Sequence, residues 1–191
     1  MQNLIIQATK LRIIEKDACN ICKVDNNGLL GKLGDKLLGR PTENEIISCR
    51  KFYYPYYCIL VKVSTPTYKN VVDTTRYEKL VVDGCFGYLH YMEGIPETDS
   101  VDISLKDIAA KKITQAQAHE KVSNYIKNKI FKKRQLLPNI EFRNTLLIYK
   151  PLFAVLCKKG NKKFYRVVDG ELGVKDFTFD VYYRKITFLE D

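Results

Sequence analysis

The string Val-Val-Asp-Gly-x-x-Gly occurs twice in this chain of 191 residues, first at Val81–Gly87 and again 86 positions later at Val167–Gly173. An aspartate followed by glycine signals a tight turn, because the carboxylate accepts bonds from nearby backbone amides and the glycine tolerates positive φ. The two valines ahead of it suit a buried strand. Writing one turn twice constrains the chain to close two similar hairpins, and the neighbouring matches keep the same order. Tyr53-Tyr54-Pro55 precedes the first string as Tyr149-Lys150-Pro151 precedes the second. The gap from proline to first valine is 26 residues in one case and 16 in the other, which predicts a longer hairpin loop in the first. Upstream of each lies a capping box, Thr42 with Glu45 and Thr114 with Gln117.

These matches predict an α+β fold of two related helix-plus-antiparallel-sheet units behind a small β-rich N-terminal segment, residues 1–40. In that segment "LIIQ", "KLRII" and "CNICKV" read as strands and "DNNG" as a turn. The glycine-rich run 28–39 lacks the spacing of a phosphate-binding loop and reads as a loop with a helical turn. Val24-Asp25-x-x-Gly28 is a weak echo of the repeated turn. The first unit, 41–95, is expected to open with a short helix through about Arg50. Three strands then follow, "KFYYPYYCILVKV", "YEKLVV" and, after the Asp83-Gly84 turn, "GYLHYM", with Pro55 marking an edge or a strand start. After the acidic linker "EGIPETDS" comes the second unit, 104–191. Its long helix carries an apolar stripe of Ala118, Val122, Ile126 and Ile130. Pro138 ends that helix, and the C-terminal "VYYRKITFL" alternates like a strand.

The second unit resembles a PepSY-type domain, a helix packed on a three-stranded sheet. The resemblance rests on Ile113-Thr114-x-x-x-Ala118, on the strand with Tyr149 and Pro151, and on Val168-Asp169 with Gly173. It is best over residues 111–180. It implies a non-catalytic module of the kind found in propeptides, inhibitors or sensor segments.

Charge narrows the functional classes. The net charge is +10, yet residues 1–110 sum to zero, while residues 111–134 hold eight bases and one acid. The apolar run at the N-terminus is too short for a signal peptide, and no stretch reaches the length of a bilayer span. The expectation is a cytoplasmic protein with no membrane partner, whose six cysteines are thiols. Cys19-x-x-Cys22 lacks a second pair at zinc-finger spacing and reads as structural, although whether it binds metal stays open. Asp83 and Asp169 have turn roles, and His90 and His119 stand alone, so the sequence assigns no catalytic residue, no metal and no cofactor. The chain reads as a binding protein rather than an enzyme. Its expected partner is an unidentified protein, met through Tyr53, Tyr54, Tyr56 and Tyr57 or a sheet edge. A buried strand with tyrosine hydroxyls at its edge is the competing reading. The alternative partner is a nucleic acid or other polyanion, held by Lys121, Lys127, Lys129, Lys132, Lys133 and Arg134.

Overall fold

The computed structural model describes residues 2–24, 43–65, 74–134 and 137–190, giving only the backbone of 74, 133 and 134. The glycine-rich run, most of the Val24–Gly28 echo and Thr42 of the first capping box lie outside them. The described residues form a mixed α and β protein of seven strands and three α-helices. The strands are β1 (Asn3–Thr9), β2 (Glu45–Thr65), β3 (Thr74–Asp83), β4 (Leu89–Tyr91), β5 (Thr98–Ser104), β6 (Asn139–Lys159) and β7 (Lys162–Asp169). The helices are α1 (Glu15–Lys23), α2 (Gln115–Arg134) and α3 (Phe177–Tyr182). Hydrogen bonds order the strands β4-β3-β2-β6-β1-β5, with β7 also paired to β6. Two compact units divide the chain. Unit 1 holds Met1–Tyr54, Asp99–Ala109 and Lys150–Asp191, and unit 2 holds Pro55–Thr98 and Ala110–Tyr149. Each draws on more than one of the segments 1–40, 41–95 and 104–191.

Unit 2 is built on the β2–β3 hairpin, whose register runs from Tyr56 opposite Asp83 to Thr65 opposite Thr74. Alternation along these strands turns Tyr57, Ile59, Val61, Val63, Leu80 and Val82 to one face, where the stripe of α2 (Ala118, Val122, Ile126, Ile130) packs on them. Full burial of each large side chain is worth roughly 1.5–3 kcal/mol, so this contact dominates the unit. The expected cap of α2 is present: the Thr114 amide donates to Gln117 Oε1 at 2.9 Å and the Gln117 amide to Thr114 Oγ1 at 3.2 Å.

Unit 1 uses the other hairpin, β6–β7, from Leu152 opposite Asp169 to Lys159 opposite Lys162. Here Phe153, Val155, Cys157 and Val168 receive Ala18 and Cys22 of α1. The expected strand "CNICKV" gives way to this helix, and "KLRII", also expected as a strand, is irregular chain leading into it. Asp17 explains why, since its carboxylate accepts from the Ile14 amide at 3.1 Å, and Lys23 complements the last turn. Glu45–Arg50, expected as a helix, is instead the start of β2. Ile46 and Ile47 favour extended backbone, and pairing along a 21-residue strand outweighs a local cap signal. The C-terminal "VYYRKITFL" is not a strand throughout, because Asp176 caps α3 by accepting from the Thr178 and Phe179 amides at 3.1 and 3.4 Å. A 3-10 turn, Tyr183–Lys185, follows.

The two repeated turns share one hydrogen-bond pattern. Asp83 Oδ1 accepts from the amides of Cys85 and Phe86 at 2.7 and 2.8 Å, and Asp169 Oδ1 from those of Glu171 and Leu172 at 2.9 and 3.0 Å. Positive φ falls on the last glycine of each string, Gly87 (73°) and Gly173 (67°). It does not fall on the glycine after the aspartate, as expected from sequence. Gly84 and Gly170 serve close approach instead: each amide donates to a proline carbonyl, Pro55 or Pro151, at 2.9 Å. Each carbonyl then accepts from the two residues that lead into a helix, Gly84 from Lys112 and Ile113 in unit 2, Gly170 from Arg12 and Ile13 in unit 1. Pro55 and Pro151 lie inside 21-residue strands rather than at their ends. The β2–β3 and β6–β7 ladders begin just beyond them, so a missing N–H costs neither ladder a bond.

Candidate functional site

Cross-strand pairing decides which face of unit 1 remains for a ligand. Leu156 stands opposite Tyr165, so both project away from the face that Val155, Cys157 and Val168 turn to α1. The chain after α3 returns across this second face. Its backbone is fixed where Ala109 bridges Phe188 and the Leu189 amide donates to the Ile108 carbonyl at 3.0 Å. Between strand and tail lies a cleft of about 430 Å³ lined by Leu156, Lys163, Tyr165, Tyr183, Arg184, Ile186 and Phe188.

Its walls are aromatic and basic. Tyr165 and Tyr183 tilt against each other at 4.7 Å, and Tyr183 is backed by Phe52 at 5.4 Å. The guanidinium of Arg184 lies 5.6 Å from the Tyr165 ring centre, and that of Arg50 lies 3.8 Å over Phe188. Burial pushes the Tyr183 phenol above its ordinary pKa, opposed by the positive charge of Arg50 beside it. The phenol therefore stays protonated, and the lining residues carry two positive charges and no carboxylate. Such a cleft can stack flat or apolar groups and pair an anion with Arg184 and Lys163.

The expected sites fall elsewhere. Tyr53, Tyr54 and Tyr57 are buried and Tyr56 is half-buried, so the tyrosine-rich strand is core rather than an exposed contact surface. The reason is coverage: Tyr57 lies under α2 in unit 2, and Tyr54 packs edge-on against Phe179 at 4.7 Å in unit 1. On α2, Lys121, Lys127 and Lys132 are exposed. Lys129 is half-buried, with its ammonium donating to the Tyr91 hydroxyl and lying 4.5 Å over that ring. At about 100° per residue, Lys121 and Lys132 flank one side of the apolar stripe and Lys127 the other, so the bases do not form one row. The side chains of Lys133 and Arg134 lie outside the described set. His119 stacks flat on Phe142 at 4.0 Å, and its Nε2 is 2.7 Å from Thr145 Oγ1; burial lowers its pKa. Asp83 and Asp169 are occupied by their turns.

Sequence reasoning passed over the cleft. Its one signal is that "KKFYR" and "VYYRKITF" both interleave aromatic and basic residues. Among the described residues no helix is long and apolar enough to cross a membrane. No family model, curated protein or solved structure matches the chain.

Proposed function

We propose that this chain is a non-catalytic binding protein whose unit 1 cleft takes an acidic, aromatic-containing segment of a partner protein. The observation that carries the reading is the cleft lining, in which three aromatic rings and two cations stand together without a carboxylate. Charge and stacking complementarity then select an anionic ligand with flat groups. The test is titration of the purified chain with a short Asp/Glu-rich peptide bearing one phenylalanine. Arg184→Glu should weaken binding tenfold or more, an expectation for loss and reversal of a charge pair, while Lys127→Glu leaves it unchanged. Equal loss in both variants, or none in either, refutes the reading.

The same proposal includes a duplicated, PepSY-like architecture. The matching turns support it, and so does a second alignment that the sequence alone did not suggest. Ile13 and Ile113 both follow a residue bonded to a turn glycine, and Ala18 and Ala118 both enter a core. In this reading the partner of α2 is α1, not residues 42–50, and each unit takes its helix from one copy and its hairpin from the other.

A second reading, polyanion binding by α2, has the exposure of Lys121, Lys127 and Lys132 in its favour. It predicts nucleic acid carried through a low-salt purification and lost in high salt. The absorbance ratio at 260 and 280 nm detects this readily in a protein without tryptophan.

A further inference from the structure

All six cysteines are thiols, and four of them meet in unit 1. Cys19 and Cys22 are three apart on α1 and so share a face; Cys49 lies on β2 and Cys157 on β6. Cys22 and Cys157 are fully buried in the α1 core, and Cys49 packs against that cluster. The Asn44 backbone amide donates to the Lys23 carbonyl at 2.9 Å and its side-chain amide to the Cys22 carbonyl at 2.8 Å, which ties the start of β2 to the end of α1 and brings Cys49 against the α1 cluster. Within it Cys22 neighbours Cys157 and Cys19 neighbours Cys49. Among the described residues no group of three or more His, Cys, Asp or Glu could hold a metal, which favours two dithiols over one tetrahedral site. Access separates the pairs, because Cys19 and Cys49 are each only half-buried whereas their neighbours have no exposed surface.

We propose that Cys19 and Cys49 form an oxidisable dithiol, closing to a disulfide between α1 and β2 when a small peroxide reaches them. Cys22 and Cys157 stay reduced beneath. The Cys19 thiolate attacks one peroxide oxygen, giving a sulfenic acid and releasing water after protonation. The Cys49 thiolate then attacks that sulfur, the S–S bond forms, and the hydroxyl leaves as a second water. Two thiols lose two hydrogens and two electrons, and one peroxide becomes two waters. Burial, with the Cys19 thiol beside it, pushes Cys49 up to about 12, so the closing step speeds up as pH rises.

The experiment treats the full chain with hydrogen peroxide, alkylates the remaining thiols, and maps peptides by mass spectrometry without reduction. The expected product has lost two of six thiols and carries a Cys19–Cys49 link that dithiothreitol reverses. The same map on Cys22→Ala fixes the assignment, because Cys19 and Cys22 share a tryptic peptide. Cys49→Ser should stop at a sulfenic acid on Cys19 that dimedone traps. A Cys22–Cys157 link formed first, or sulfinic acid without any link, overturns the proposal. Counting thiols in the unfolded wild-type protein before and after oxidation tests the pairing even where a variant fails to fold; no loss of a thiol pair overturns it equally.

Discussion

Replacing Asp83 with alanine isolates what the repeated turn contributes. Its carboxylate is buried and accepts two amide bonds, at 2.7 Å from Cys85 and 2.8 Å from Phe86. Bonds to a charged acceptor contribute roughly 1.5–3 kcal/mol each, and removal strands the Cys85 amide in a buried position. The expected loss for Asp83→Ala is therefore about 3–5 kcal/mol, a large part of the roughly 5–15 kcal/mol that holds a domain folded. Asp83→Asn keeps an oxygen at the same place and gives up the charge, so about 1–2 kcal/mol is expected. Urea unfolding followed by far-ultraviolet circular dichroism measures both, with Asp99→Ala on the surface as a control within about 0.5 kcal/mol. The ranking Ala below Asn below wild type is the signature of a turn clamp. If Asp83→Ala unfolds within about 0.5 kcal/mol of wild type, the carboxylate is not holding the hairpin and the reasoning fails.

Other perturbations follow from the same contacts. Gly170→Ala should cost more than an ordinary surface change, because its Cβ would lie 2.7 Å from the Pro151 carbonyl oxygen; overpacking of this kind costs about 1–3 kcal/mol, read as a fall in the urea midpoint. Ile126→Ala empties the centre of the α2 stripe and should destabilise by about 2–5 kcal/mol in the same assay. His119 has a folded pKa below its ordinary 6.5, so the unfolded chain binds the proton more readily. Its contribution is present above pH 6.5 and is lost as pH falls through the lower folded value. His119→Phe keeps the stack on Phe142, and stability curves at a series of pH values should show that part of the dependence flattened.

The sequence reading succeeded where the chain speaks locally. The α2 stripe, its Thr114–Gln117 box and the two Asp-Gly turns are all settled within a few residues of themselves. Only the first turn leads into a strand, β4, while the second leads through an isolated Val168–Lys175 bridge into α3 rather than the expected strand. It failed where distant contacts decide. Ile46 and Ile47 follow a cap-like Thr-x-x-Glu, but strand pairing along β2 draws Glu45–Arg50 into extended form. "CNICK" looks strand-like by composition, and it takes up helix because Ala18 and Cys22 have a core waiting on β6 and β7. The tyrosines show the same limit. Alternation says that some must face outward from a strand with one covered side, but β2 is flanked by β3 and β6, and Tyr54 and Tyr57 are covered in their own units. The cleft was illegible for a related reason. Its walls come from β6, β7 and the tail, brought together by tertiary contacts such as the Leu156–Tyr165 register, the Phe188 bridge and the Tyr165–Tyr183 pair.

The packing of α1 also has a bearing on how the chain can be made. During synthesis Ala18 and Cys22 leave the ribosome long before Phe153 and Val168, on which they settle. A nine-residue helix is too short to persist alone in water, so this stretch must wait, unfolded, for nearly the whole chain to emerge. Unit 2 has all its residues once Tyr149 is out, whereas unit 1 needs Lys150–Asp191 as well. Unit 2 can therefore close before unit 1, and α1 is among the last elements to find its place. Long separations of this kind slow folding and lengthen the exposure of apolar surface. A nascent chain stalled after β6 would offer that surface to chaperones, and cutting the gene between β4 and β5 would part each hairpin from the helix that packs on it.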